Sequence, residues 1–88
     1  MDRDLAGKDL SGADFADANL TRANLTEANL TEAHMIDADL TGANLWYADL
    51  KFADFGGATV TDAVFTDTYW HQTIWTDYVR YDSNQAAD

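Results

Sequence analysis

Cysteine is absent from this chain. That excludes a disulfide framework and any zinc site built on thiolates. Both are common reinforcements of a very small domain, and this chain has only 88 residues. Its stability must come from regular packing and backbone hydrogen bonds. Long apolar runs are absent too, so no stretch is suited to span a bilayer. The opening Met1-Asp2-Arg3-Asp4 is charged and is not followed by an apolar run, which is unlike a signal peptide. The expected location is the cytoplasm. Basic residues are scarce, five against sixteen acids, giving a net charge of −11. That balance argues against nucleic acid or an anionic membrane surface as a partner. It permits a basic partner, or solubility alone.

What the chain does have is a period of five. Alanine recurs at every fifth residue from Ala13 to Ala63. Two residues after each alanine stands a larger apolar residue, in a series that starts at Leu5 and Leu10 and ends at Trp70 and Trp75. A helix would smear positions five apart around its surface. A flat strand would put Leu20 and Leu25 on opposite faces, because five is odd. The chain must therefore turn once per repeat. In Ala23-Asn24-Leu25, Ala and Leu point inward and Asn outward; Thr26 follows outward, and Glu27 lies at a corner. Many such bends in one sense make a solenoid.

The runs Ala23–Glu27 and Ala28–Glu32, both Ala-Asn-Leu-Thr-Glu, resemble the pentapeptide-repeat family, as do Ala38–Leu40 and Ala48–Leu50. The resemblance covers about residues 4–77. It implies an all-β fold, a right-handed quadrilateral β-helix with four repeats per coil and about four coils. On that geometry Asn and Thr of adjacent coils lie close enough for hydrogen-bonded ladders. The expected organisation is one solenoid domain over 1–82 and a disordered tail over 83–88. At the amino end, Arg3 and Lys8 take the inward alanine phase. They either blunt the open edge or reach solvent from frayed repeats. At the carboxyl end, Thr68 to Tyr81 is expected to form a distorted last coil. Its aromatics, Trp70 and Trp75, would cap the core.

Candidate chemistry is thin. His34 is expected between Asp14 and Asp54 of adjacent coils, a row that could bind a metal. It lacks further ligands, so no metal site is assigned. His71 has Lys51 below it and no evident acid partner. Ser11 and Ser83 stand near no His in any motif, and Gly56-Gly57 reads as a corner rather than a phosphate loop. No catalytic residue, cofactor or small-molecule substrate is expected, and the chain reads as a non-enzyme.

The stronger feature is aromatic. Ten of the eleven aromatics lie at or after Trp46. Trp46, Tyr47 and Phe52 occupy outward positions, with Tyr69 stacked near them. With Trp75 and Tyr78 of the end region they form the candidate protein interface. The alternative is that the carboxyl-terminal segment folds back over the patch. Two functions follow: a module that binds a protein partner or a second copy, or a mimic of duplex DNA that inhibits a type II topoisomerase. The second is implied by quinolone-resistance members of the family. The chain is shorter than that role suggests and has no loop insertion.

Overall fold

The computed structural model describes residues 3–86. The architecture begins with one turn repeated. In each repeat the N–H after the corner bonds back to the carbonyl of the large apolar residue, as from Ala28 to Leu25 at 3.1 Å and from Ala33 to Leu30 at 3.0 Å. The residue before the alanine has a left-handed backbone: φ is +60° at Glu27 and Glu32 and +70° at Gly42. A positive φ at the third residue of a four-residue turn is the type II pattern. Most of these corners carry Asp, Glu, Arg, Tyr or Phe rather than glycine. Each such residue costs about 1–2 kcal/mol of local strain.

What offsets the strain is a second device in the same repeat. Asn24 Oδ1 accepts from the Thr26 N–H at 3.2 Å and from its hydroxyl at 2.8 Å. Asn29 does the same with Thr31, and Asp39 with Thr41. A side chain bonding two residues ahead is an Asx turn. The expectation of Asn and Thr ladders between coils is thus corrected. These side chains work mainly within one repeat, and the bonds across coils are long, 3.5 Å from Asn24 to Asp4 and 3.4 Å from Asn29 to Asp9.

Coils stack through the backbone. Parallel bridges join residues twenty apart, from Asp4 with Asn24 up to Asp54 with Ile74. Twenty residues are four repeats, so the chain returns over itself after four corners. Leu25, Leu30, Met35, Leu40, Leu45, Leu50, Phe55 and Phe65 are fully buried, with the alanines between them. The backbone closes on the axis at the alanines, where a larger side chain would overpack. Leu5, Leu10 and Phe15 are only partly buried, because no coil lies beneath them. Arg3 and Lys8 are exposed, so their charges reach solvent.

The carboxyl end differs from the expected last coil. β1 (Thr73–Ile74) still stacks on the coil below, through Ile74 N–H to Ala53 at 2.9 Å and Phe55 N–H to Ile74 at 2.7 Å. The chain then reverses, and β2 (Arg80–Tyr81) pairs with β1 antiparallel. The left-handed residue here is Tyr78, φ +67°, one place beyond the repeat's phase. That slip makes a three-residue hairpin loop, closed by Trp75 N–H to Val79 at 2.9 Å, instead of another corner. β2 thereby covers an edge that β1 would leave open to another chain. Thr73, in the alanine phase, is buried, and its hydroxyl donates to the Leu50 carbonyl at 2.7 Å.

Within the tail expected to be disordered, Asn84 donates to the Phe65 carbonyl at 2.8 Å and Ala86 packs against the core. The rest of that expectation, Ala87 and Asp88, lies outside the described residues. The Cα envelope measures 30 × 26 × 22 Å, a block rather than a rod. Among the described residues there is no helix, hence none long and apolar enough to cross a membrane.

Candidate functional site

Trp46 and Tyr47 occupy one corner, in the places that Thr26 and Glu27 hold one coil below. The corner is built like the others: Asn44 Oδ1 accepts the Trp46 N–H at 3.0 Å, and Tyr47 takes φ +64°. The turn therefore projects both rings outward. They stack with centroids 4.9 Å apart. Tyr69 bridges Asp49 on the adjoining face and meets Tyr47 edge-on at 5.5 Å. Phe52, at the next corner, meets His71 edge-on at 5.2 Å. All four aromatic side chains are exposed, Trp46 at 41% and Phe52 at 49%. The Lys51–Asp49 ion pair, at 3.5 Å, lies on the surface between the two groups.

The structure brings Trp46, Tyr47, Phe52 and Tyr69 to adjoining corners and faces, and moves two expected residues elsewhere. Trp75 is 9% exposed and packs on Phe55, Phe65 and Trp70 with centroids 5.0–5.7 Å apart. It belongs to the core, because β2 and the hairpin loop close over that end. Tyr78 is 68% exposed but stands at another corner, with one side of its ring over Gly56: a Cβ there would stand 2.8 Å from the Tyr78 ring. The same ring approaches Gly57, whose φ is +70°. The two glycines make room for Tyr78 and carry no ligand chemistry of their own. The carboxyl-terminal segment thus folds onto the Gly56-Gly57 corner, while Trp46, Tyr47, Phe52 and Tyr69 stay exposed.

The two histidines stand in different surroundings. His34 lies in a ladder between Asp14 and Asp54. Among the described residues, no three His, Asp or Glu side chains are placed to hold a metal ion. His71, read from sequence as lacking an acid, has Asp82 Oδ1 3.3 Å from its Nδ1. The same oxygen accepts the Gln72 N–H at 2.8 Å. This tie was not readable because Asp82 lies past the hairpin, outside the repeat. The described surface has no pocket.

A family model of pentapeptide repeats, in eight copies, matches residues 9–46. Two solved structures resemble the chain over most of its length. One is HetL, a pentapeptide repeat protein involved in heterocyst differentiation regulation from the cyanobacterium Nostoc, 31% identical over 91% of this chain with a TM-score of 0.59. The other is the pentapeptide repeat protein Rfr23 from the cyanobacterium Cyanothece, 29% identical over 82% with a TM-score of 0.57. The chain belongs to the pentapeptide-repeat family. It spans 43% of HetL and 53% of Rfr23, about half the length of each. Comparison of the sequence with curated proteins finds no match.

The pentapeptide corner also sets local acidity. The Thr41 hydroxyl, at 2.6 Å, and then the Thr41 N–H hold the Asp39 carboxyl below its ordinary value of 3.8. Ser11 acts likewise on Asp9. A depressed pKa stabilises the fold above the ordinary carboxylate value, and that contribution is lost as pH falls through the folded value. Thr41→Val keeps the shape and the backbone bond but removes the hydroxyl. Its stability deficit relative to wild type, read from urea midpoints, is expected to be full at pH 6 and to shrink below about pH 4. A deficit constant from pH 6 to pH 3 would contradict this account of the corner. At the patch, the hydrogen bond with Tyr47 pushes the Tyr69 phenol upward, with burial and the charges of Tyr47, Asp67 and Asp49 adding to it. Tyr69 therefore stays a neutral phenol at physiological pH.

Proposed function

We propose that this chain is a non-enzymatic interaction module: a stack of about four right-handed pentapeptide coils, capped by carboxyl-terminal aromatics, that presents one aromatic surface to a protein. One observation carries the reading. Trp46, Tyr47, Phe52 and Tyr69 are exposed together on a solenoid whose other outward positions are mostly polar. Exposed apolar patches of this kind mark interfaces, and Trp and Tyr are favoured anchors. A module that acts by contact needs no pocket, and the described surface has none. HetL's involvement in heterocyst differentiation regulation is in keeping with a module that acts by contact.

The test compares wild type with the double variant Trp46→Glu/Phe52→Glu. Both residues are exposed, so the variant is expected to keep the wild-type circular dichroism and melting curve. Light scattering over a concentration series reads self-association, and capture from an extract of the source cells reads other partners. The reading expects a concentration-dependent mass, or a defined set of captured proteins, that the double variant loses. A monomer that captures the same proteins with and without the patch would overturn it.

The acidity supports a second reading, DNA mimicry. The longest dimension, 30 Å, matches only about nine base pairs of duplex. Gyrase supercoiling unaffected by a large excess of the protein would remove it.

A further inference from the structure

The aromatic patch is bordered by acids at the places the repeat dictates. Glu27 lies one coil below Tyr47, its N–H bonded to the Trp46 carbonyl at 2.8 Å. Asp67 holds the same corner one coil above Tyr47, where the Tyr47 N–H bonds Thr66 at 3.1 Å. Glu32 lies one coil below Phe52, its N–H bonded to the Lys51 carbonyl at 3.0 Å. Glu27, Glu32 and Asp67 are all exposed. At the Trp46–Tyr47 corner the nearest base is Lys51, which is paired with Asp49; at the Phe52 end His71 meets the ring and is paired with Asp82, and the Arg80 guanidinium donates to the Gln72 carbonyl. The surface is therefore a row of ring faces and edges, with carboxylates above and below Tyr47 and below Phe52.

Two classes of protein occupant compete for it. A second copy would bring the same carboxylates against each other, in a chain whose net charge is −11. Like charges facing across an interface are strongly disfavoured. A basic segment meets no such penalty. Among basic residues, arginine fits best: its flat guanidinium stacks on aromatic rings and pairs with carboxylates at the same time. Lysine, a compact and strongly hydrated charge, does less of the first.

We infer that the Trp46–Tyr47–Tyr69 surface, bordered by Glu27 and Asp67 and extended by Phe52, receives an arginine-bearing basic segment of a partner protein. This rests on the interaction-module reading and specifies its partner. The guanidinium stacks on the Trp46 and Tyr47 rings, and the bordering carboxylates fix the segment's direction. Phe52 supplies apolar contact beyond the Lys51–Asp49 pair.

The test uses the intact chain and three uncharged-ended peptides of alternating glycine with arginine, lysine or citrulline. Citrulline has arginine's shape without its charge. Binding is read by Trp fluorescence and by calorimetry at 50 mM and 150 mM salt. The arginine peptide is expected to bind at least fivefold tighter than the lysine peptide. Trp46→Ala/Tyr47→Ala is expected to weaken it at least tenfold while the lysine peptide changes little. Glu27→Gln/Asp67→Asn is expected to weaken the arginine peptide and steepen nothing in its salt dependence. Equal binding of the arginine and lysine peptides, unaffected by Trp46→Ala/Tyr47→Ala, would mean diffuse attraction to an acidic protein and would overturn the inference. Binding of the citrulline peptide as tightly as the arginine peptide, lost with the two rings, would overturn the charge assignment while leaving the module reading standing. Failure of the module reading is seen separately, in the mass and capture comparison.

Discussion

Trp75→Ala is expected to destabilise the fold by about 3–5 kcal/mol, the usual cost of deleting a buried large aromatic. Trp75 is the ring on which the carboxyl end converges. It touches Phe55 below it, Phe65 across the core and Trp70 beside it. Its backbone also closes the hairpin, through its N–H to Val79 and its carbonyl to the Tyr78 N–H, both at 2.9 Å. Removing the indole leaves a cavity at the point where the chain stops stacking and turns back. β2 and the Asn84 contact then lose the surface that orders them. Denaturant unfolding measures the loss, and near-UV circular dichroism reports the broken ring cluster. Trp46→Ala is the control: an exposed ring on the same scaffold should cost within about 0.5 kcal/mol. Similar losses for the two tryptophans would mean that Trp75 does not hold the end of the core.

The second large effect comes from adding atoms. Ala43→Leu is expected to cost about 1–3 kcal/mol although it makes the residue more hydrophobic. Ala43 is fully buried, and its N–H bonds to Leu40 while its carbonyl accepts from Val64 in the coil above. Both bonds fix the backbone close to the axis, with Ala23 and Ala63 in the same phase of neighbouring coils. A leucine there can be seated only by spreading the coils, and spreading lengthens the bonds that stack them. The same substitution at exposed Ala16, a corner position, should change stability by no more than about 0.5 kcal/mol. A stabilised Ala43→Leu protein would mean that the alanines mark loose space and not close approach.

These two effects show why some of the fold could be read in advance. The alanine and leucine series carry a period that neither helix nor flat strand tolerates. The twenty-residue stacking then follows the family geometry, and the parallel bridges have that register. The corners were legible in position but not in mechanism. Asn and Thr at fixed spacing look alike whether they bond within a repeat or between coils, and only the geometry separates the two. The hairpin was not legible, since the apolar phase runs unbroken to Trp75 and the change lies in one backbone angle at Tyr78. Contacts that leave the repeat were invisible for the same reason. Tyr78 over Gly56 and Asp82 against His71 join residues that no period relates. The patch was readable where it obeys the stack: Tyr69 sits one coil above Asp49, beside Tyr47. Trp75 was read both as a cap of the core and as part of the interface, because a large ring at the end of a repeat series looks the same whether the chain stops there or folds over it; it is 9% exposed.

The most direct test of the account is a residue-resolved titration of the intact protein with the arginine–glycine peptide, followed by amide and indole NMR shifts. The account predicts saturable shifts concentrated at the Trp46 indole, Tyr47, Phe52, Tyr69, Glu27 and Asp67. The opposite face of the solenoid, around Asp39 and Thr59, should stay silent. Shifts spread evenly over all the acidic corners, with the Trp46 indole unmoved, would contradict it.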